Sequence, residues 1–175
     1  SVDYQLNYTS FLTKFKRNYN MLSVNDNAPD FNLKNTKKDD VKLSDFNDKT
    51  VVLAFYPGAF TGVCDTEMCT LQDGLNTFND LGATVLGISV DSPWANAGFS
   101  QKYNLEFDLL SDLDRKAIND YGVLFSGLGG IEGYTCANRA VFIIKDGVIK
   151  YAWEAEPNPG VEPNYEEIKN FIKNL

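Results

Sequence analysis

The chain has 175 residues, 43% of them hydrophobic and 23% charged, and a net charge of −8 at neutral pH. This balance predicts one globular domain, and the negative charge disfavours nucleic acid and anionic membranes as partners. The sequence holds no histidine and three cysteines, which excludes a Ser/His/Asp triad, a Cys/His dyad and a histidine-rich metal site, and argues against a disulfide framework.

No apolar run in the sequence approaches the ~18 residues of a membrane span. The first residues also lack the charged, apolar and small-residue order of a signal peptide. We therefore expect a cytoplasmic protein that does not enter a membrane, unless a targeting leader was removed before Ser1.

Residues 1–24 differ from the rest in charge: they hold three cations and one carboxylate, whereas residues 25–175 are strongly acidic. Apolar and aromatic side chains recur there at helical spacing, at Tyr4, Tyr8, Phe11, Leu12, Phe15, Tyr19 and Leu22. This pattern predicts an N-terminal helical arm that packs on its own domain or on a sister subunit. The alternative is a helix on a membrane surface, for which three cations are few.

Residues 25–175 alternate between strand and helix patterns and form the predicted domain. In its first half we expect short extended segments at 27–33 and 42–46, a strand covered on both faces at 50–56, a helix from 64 to about 81, a strand at 83–90 and a helix begun by Ser92 and Pro93. The second half should hold a strand at 106–110 and a helix at 113–121 that is capped by Asp112 and ended by Gly122. It should end with a hairpin at 139–155, which turns at Asp146 and Gly147, and a helix from about 164 to 175. Parallel strands with helical crossovers, followed by an antiparallel hairpin, predict an α/β thioredoxin-like sandwich with a central mixed β-sheet and helices on both faces.

The stretch "FYPGAFTGVCDTEMC" joins the strand at 50–56 to the next helix and places Cys64 in the first helical turn. Unpaired N–H groups and the positive end of the helix dipole stabilise a thiolate at such a position, which is the device open to a chain without histidine. Thr61 either caps the helix or points its hydroxyl at whatever approaches the sulfur. Pro57 fixes the loop.

The spacing P-x-x-x-T-x-x-C of Pro57, Thr61 and Cys64 resembles the active-site signature of peroxiredoxins. The segments "TVLGISVDSPWANAGFSQKYNLEFDLLSD" and "ANRAVFIIKDGVIKYA" resemble later blocks of that family in order and spacing. The likeness covers roughly residues 25–170 and is greatest to the bacterioferritin-comigratory and AhpE-like branches.

This resemblance implies a thiol-dependent peroxidase that reduces hydrogen peroxide and small organic hydroperoxides without metal, haem or flavin. Cys64 is then the peroxidatic cysteine, which becomes a sulfenic acid and is returned to the thiol by a second thiol. Thr61, Arg139 and the backbone N–H groups near Val63 and Cys64 would bind the peroxide and the thiolate, while Pro57 limits solvent access.

Two of these side chains have simpler interpretations. Glu67 resembles a family glutamate that orients Arg139, but an acid in the first turns of a helix also interacts favourably with the helix dipole. Arg139 at the start of an apolar strand is usually a surface cation paired with a carboxylate; its place in the family block favours the active site. Trp94 and Trp153 are expected in the core or at an interface.

The resolving thiol has three candidates. Cys69 stands where the bacterioferritin-comigratory type carries its resolving cysteine, and we favour it, although it could equally be a buried structural residue. Five residues along a helix correspond to about 7.5 Å of rise and roughly 140° of rotation, so a Cys64–Cys69 disulfide requires the helix to unwind. Cys136 is the second candidate if its loop can move towards Cys64, and an external thiol is the third.

The expected partners are a peroxide, a thioredoxin-like or other thiol reductant, and further copies of the chain in a homodimer or larger oligomer. Two other functions fit the same fold. A thiol-disulfide oxidoreductase is disfavoured because such enzymes use C-x-x-C, whereas this chain has C-x-x-x-x-C. A redox-inert binding module would consume no peroxide.

Overall fold

The computed structural model describes residues 20–175. Its strands are β1 (Asn32–Lys34), β2 (Asp40–Lys42), β3 (Thr50–Phe55), β4 (Ala83–Ser89), β5 (Asp108–Ser111), β6 (Leu124–Ser126), β7 (Thr135–Ala137), β8 (Ala140–Lys145) and β9 (Val148–Glu154). Its α-helices are α1 (Val63–Asp73), α2 (Leu75–Asp80), α3 (Pro93–Tyr103), α4 (Lys116–Asp120) and α5 (Tyr165–Lys173).

A seven-stranded mixed sheet forms the centre of the fold, in the order β2-β1-β5-β4-β3-β8-β9. β3 runs parallel to β4, and β4 runs parallel to β5. β8 is antiparallel to β3 and forms a hairpin with β9. The predicted mixed sheet, its central strand and its hairpin are therefore confirmed.

The two faces of the sheet bury separate cores because successive side chains of a strand point to opposite sides. Val51, Leu53 and Phe55 of β3 belong to the core that α4 covers. Val52 and Ala54 belong to the core that α1, α2, α3 and α5 cover. All six residues of β3 are buried, as the predicted doubly covered strand requires.

Three predicted elements differ in the structure. Residues 43–46 form a 3-10 helix instead of an extended segment, because the Asp45 carboxylate accepts a hydrogen bond from the Lys42 N–H at 3.1 Å and tightens the chain locally. The helix predicted from 64 to about 81 is divided at Gly74 into α1 and α2, since glycine has a low helix propensity.

The helix predicted at 113–121 is reduced to α4, which begins at Lys116. The N-cap residue of α4 is Arg115 and not the predicted Asp112. The Asp112 carboxylate nevertheless accepts the N–H groups of Ala117 at 3.2 Å and Ile118 at 2.8 Å in the first turn of α4. The small antiparallel sheet of β6 and β7 was not predicted. Each of its strands has three residues, too few for an alternating pattern to be recognised.

Residues 1–19 of the predicted helical arm lie outside the described residues, and there the arm stays a prediction; residues 20–24 are described and form no helix. At the start of the described chain, the Leu22 N–H donates to the Tyr121 carbonyl at 3.2 Å, and Met21 and Leu22 pack against the core. Trp94 is 70% exposed and does not belong to the core, whereas Trp153 is partly buried against it. Among residues 20–175, no helix is both long and apolar enough to span a membrane.

Candidate active site

The site lies where β3 ends and β8 begins. The chain leaves β3 through a loop that contains the buried Pro57 and enters α1 at Val63. Because β8 is antiparallel to β3 and pairs Ala140 with Phe55, the residue before β8 lies at the same edge of the sheet. This pairing brings Arg139 to the start of α1, although 75 positions separate it from Cys64.

Cys64 is the second residue of α1 and is fully buried. Its Sγ atom is 2.8 Å from the Thr61 hydroxyl and 3.0 Å from Nη2 of Arg139, which donates to the sulfur. The first N–H in this helix with a backbone partner is that of Asp65, which donates to the Gly62 carbonyl. The sulfur is therefore held between a hydroxyl and a guanidinium at a helix N-terminus, an arrangement that favours negative charge on it.

Arg139 uses its guanidinium to join three parts of the chain. Nε donates to the Pro159 carbonyl at 2.9 Å, and Nη1 donates to Glu67 Oε1 at 2.9 Å. The side chains of Arg139 and Glu67 are 2% and 0% exposed, so the alternative of a surface ion pair is excluded for Arg139. Each of the three guanidinium nitrogens therefore has a partner, and the planar fork holds Nη2 on Cys64 while Nε and Nη1 bind the other two groups.

Glu67 and Arg139 change each other's pKa. Burial raises the pKa of Glu67 from 4.5 to about 7, despite the attraction of Arg139. Burial lowers the pKa of Arg139, but Glu67 and Cys64 more than reverse this effect, so its pKa is raised and it stays a cation. Glu67 Oε2 is buried without a hydrogen-bond partner, which agrees with a carboxyl group that takes up a proton near neutrality.

Thr61 does not cap α1: the N-cap residue is Gly62, with φ of +83°, and no side chain provides a capping hydrogen bond. Instead, the Thr61 hydroxyl is 2.6 Å from the Gly58 carbonyl and 2.8 Å from the sulfur. The predicted alternative of a capping side chain is therefore excluded, and the hydroxyl oxygen of Thr61 lies beside the Cys64 sulfur.

Cys69 lies on α1 with Cys64 and is a partly buried free thiol. Burial, Asp73 and Asp65 raise the pKa of the Cys69 thiol. The unbroken helix between the two cysteines keeps them a turn and a half apart. In this conformation Cys69 is a protonated thiol that cannot reach the sulfur of Cys64.

Cys136 lies in β7 and is fully buried, whereas the sequence suggested a movable loop. It pairs with Phe125 of β6. Burial and the negative charge of Cys64 raise the pKa of Cys136 to about 12. A strand residue with so weakly acidic a thiol is a poor nucleophile near neutral pH.

The sequence did not reveal a buried polar network beside the loop. Tyr56 donates to Asn96 at 2.7 Å, and the Ser89 hydroxyl donates to Asp91 at 2.8 Å. Nδ2 of Asn96 lies 3.5 Å from Oγ of Ser89. Asp91 also accepts the Ala59 N–H at 2.8 Å. The sequence signal that could have revealed this network is Asp91, a polar residue that directly follows the strand predicted at 83–90. Such a residue lies near the ends of neighbouring parallel strands, because their carboxyl ends meet at one edge of the sheet.

Comparison with known proteins agrees with this geometry. Residues 24–152 match the AhpC/TSA family. The chain is 45% identical over 104 residues to the putative peroxiredoxin bcp of Haemophilus influenzae, covering 59% of this chain and 67% of that protein. It is 38% identical over 133 residues to the putative peroxiredoxin bcp of Coxiella burnetii, covering 75% and 88%. The solved structure of a peroxiredoxin-like protein from Aquifex aeolicus is similar with a TM-score of 0.77 and 30% identity, covering 89% and 88%.

A central mixed sheet with helices on both faces, a P-x-x-x-T-x-x-C loop and these relatives all lead to the same family. The chain belongs to the AhpC/TSA family as a peroxiredoxin of the bacterioferritin-comigratory type, and it is an enzyme, a thiol-dependent peroxidase.

Proposed function

We propose that Cys64 is the peroxidatic cysteine and that it reduces hydrogen peroxide and small organic hydroperoxides. The observation that carries this proposal is the position of its sulfur, 2.8 Å from the Thr61 hydroxyl and 3.0 Å from the Arg139 guanidinium. Cys69 and Cys136 do not share this environment, because carboxylates or burial keep each of them protonated.

The reaction follows from these contacts. The Cys64 thiolate attacks one oxygen of the peroxide, the O–O bond breaks, and the second oxygen leaves with the bond's electron pair as hydroxide or alkoxide, which takes a proton from water. The product is a Cys64 sulfenic acid. Arg139 is held in place by Glu67 and the Pro159 carbonyl before the reaction begins, so it stabilises the developing charge without reorganising.

The backbone completes the proposed site. Val63 is the first residue of α1, and N–H groups in the first turn of a helix have no partner within the helix. The N–H groups of Val63 and Cys64 therefore lie where a bound peroxide oxygen can accept them. The buried Pro57 closes the other side of the loop and limits solvent near the sulfur.

For the return to the thiol we favour Cys69. Its sulfur attacks the sulfenic acid, an S–S bond forms, and water leaves with the sulfenic oxygen. This step requires the first turns of α1 to unwind, which also moves Cys69 away from the carboxylate of Asp65. A thioredoxin-like or other thiol reductant then reduces the disulfide, and the same external thiol would reduce the sulfenic acid directly if Cys69 is structural.

The test is to treat the reduced protein with an equimolar amount of hydrogen peroxide and to map its cysteines by mass spectrometry. We expect wild type to consume the peroxide and Cys64→Ser to consume none. A Cys64–Cys69 disulfide that is present in wild type and Cys136→Ser, but absent in Cys69→Ser, identifies the resolving thiol. A stable sulfenic acid in wild type would instead assign resolution to an external thiol, and consumption by Cys64→Ser would contradict the peroxidatic role.

A further inference from the structure

The peptide unit between Gly58 and Ala59 lies between the active-site hydroxyl and a carboxylate. Its N–H, on Ala59, donates to Asp91 Oδ2 at 2.8 Å. Its carbonyl, on Gly58, accepts a hydrogen bond from the Thr61 hydroxyl at 2.6 Å. Because a peptide unit is planar and rigid, Asp91 and Thr61 are linked through it.

The hydroxyl of Thr61 has one proton and two close neighbours, the Gly58 carbonyl and the Cys64 sulfur at 2.8 Å. It donates to only one of them at a time. The Gly58 carbonyl can only accept. When the hydroxyl proton lies on Gly58, the oxygen of Thr61 presents a lone pair to the space beside the sulfur.

Asp91 favours this orientation of the proton. A carboxylate that accepts the N–H of a peptide unit polarises it, so that its carbonyl oxygen becomes a stronger acceptor. The carboxylate itself is fixed: Oδ2 accepts the hydroxyl of the fully buried Ser89 at 2.8 Å, and the Asp91 N–H donates back to Ser89 at 3.2 Å.

We propose that Asp91 is a positioning residue of the peroxidase reaction and acts through the Gly58–Ala59 peptide unit on the Thr61 hydroxyl. It keeps the hydroxyl proton on Gly58 and leaves the Thr61 oxygen free to accept the O–H of the peroxide. Without the carboxylate the hydroxyl turns to the sulfur, where donation stabilises the thiolate and reduces its nucleophilicity. The inference rests on the proposed role of Cys64.

The test is a double-mutant cycle on the second-order rate constant for peroxide reduction. In the Thr61 background we expect Asp91→Ala to slow the reaction about tenfold, the loss of one good hydrogen bond. Asp91→Asn keeps an acceptor oxygen and removes the charge, so it should slow the reaction about threefold. In a Thr61→Val background neither substitution should change the rate further. Equal losses in both backgrounds, or no loss in either, would overturn the inference.

The pH dependence of the rate constant for peroxide reduction provides a second measurement, which a purely structural role of Asp91 would leave unchanged. If the Thr61 hydroxyl turns to the sulfur, the rate of Asp91→Asn should reach half its plateau at a lower pH than that of wild type. The shift should vanish in Thr61→Val. An unchanged half-plateau pH would contradict the proposed reorientation.

Asp30→Asn is the matched control, because Asp30 also accepts backbone N–H groups, from Phe31 at 2.9 Å and Ser44 at 3.1 Å. It should leave the rate unchanged. Circular dichroism and thermal unfolding check each variant, and Asp91→Asn carries the test if Asp91→Ala does not fold.

Alkylation of Cys64 by iodoacetamide, followed by peptide mass spectrometry, repeats the cycle without peroxide. At a pH within the rate plateau, Asp91→Asn should slow the alkylation of Cys64 when residue 61 is threonine. It should leave the alkylation rate unchanged in the Thr61→Val background. A wild type that consumed no peroxide would refute the proposed function, while the alkylation cycle would still decide the linkage between Asp91 and Thr61.

Discussion

At the scale of single residues, the site depends on one buried cation, Arg139, whose three guanidinium nitrogens each donate to an acceptor. Arg139 donates to Pro159, Glu67 and Cys64, and both partners of its ion pair are buried. Removing one member of such a pair leaves a buried charge unpaired, which typically destabilises a protein by about 3–5 kcal/mol. Glu67 therefore contributes to both the fold and the position of the guanidinium.

The raised pKa of Glu67 predicts a pH-dependent stability. Its pKa is 4.5 for an ordinary glutamate and about 7 in the folded protein. Between these values the native state keeps a proton that the unfolded chain has released, so the free energy of unfolding falls as the pH rises from about 4.5 to about 7 and stays level above that. Across this pH range, the free energy of unfolding of wild type should fall by up to ~3 kcal/mol relative to that of Glu67→Gln.

Urea unfolding of wild type and Glu67→Gln from pH 4.5 to pH 8 measures this difference, because other titrating groups cancel between the two proteins. Glu166→Gln is the control: Glu166 is 78% exposed and pairs with Lys169 on α5, so its substitution should add no such slope. A difference between wild type and Glu67→Gln that stays constant with pH would contradict the raised pKa.

At the scale of elements, the proposed Cys64–Cys69 disulfide requires α1 to hold Cys64 before the reaction and to unwind after it. Two hydrogen bonds join α1 to the last residue of α3 and to the loop that follows α3. The Tyr103 hydroxyl donates to Asp65 Oδ2 at 2.6 Å, and the Glu106 N–H donates to Gln72 Oε1 at 2.7 Å. Asp65 follows Cys64 directly, so unwinding of the first turn must break its bond to Tyr103.

Tyr103→Phe should therefore favour the unwound state of α1. The ring, which packs edge-on against Phe99, is kept, and one hydrogen bond to a carboxylate is lost. If Cys69 is the resolving thiol, we expect the Cys64–Cys69 disulfide to form roughly fivefold faster after peroxide is added, because the opening equilibrium shifts by the net value of that bond. Rapid acid quenching and mass spectrometry measure the rate.

Tyr151→Phe is the control for this prediction. Tyr151 lies in β9, and its ring centroid is 5.3 Å from that of Phe171 of α5, so its hydroxyl should not influence α1. An unchanged disulfide rate in Tyr103→Phe would show that this contact does not limit the opening of the helix.

At the scale of the whole molecule, the start of the described chain packs across the end of α4. A Cβ atom at Gly122 would lie 2.3 Å from the Asn20 carbonyl oxygen and 3.0 Å from the Cα of Met21. Gly122 also has φ of +72°. The position therefore requires glycine for its backbone conformation and for the close approach of residues 20 and 21.

Gly122→Ala separates these two effects when it is compared with Gly82→Ala. Both glycines have φ of +72°, but no atom lies within 4 Å of a Cβ at Gly82. We expect Gly82→Ala to lower the free energy of unfolding by about 1–2 kcal/mol through strain alone, and Gly122→Ala by about 1–2 kcal/mol more because backbone atoms must move apart. Chemical denaturation measures both, and equal losses would show that the segment at Asn20 does not pack closely against α4.

Much of this architecture was predictable because it depends on local patterns. The continuous apolar run of β3 predicted a strand covered on both faces, and Asp146 and Gly147 marked the turn of the hairpin. The limits of α1 and α4 were not predictable, because a single glycine or a side-chain bond to the backbone decides where a short helix ends. In the site, the spacing of Pro57, Thr61 and Cys64 indicates the family without reference to any tertiary contact.

The sequence by itself determined the order of the elements, the family and the cysteine at the start of a helix, since all of these depend on residues that are near one another in the chain. Only the tertiary structure showed that the Pro159 carbonyl holds Arg139, that Asp91 reaches Ala59, and that Cys136 lies in a strand. These contacts join residues that the sheet register brings together, and the burial that sets the pKa of Glu67 exists only when several elements cover the same carboxyl group.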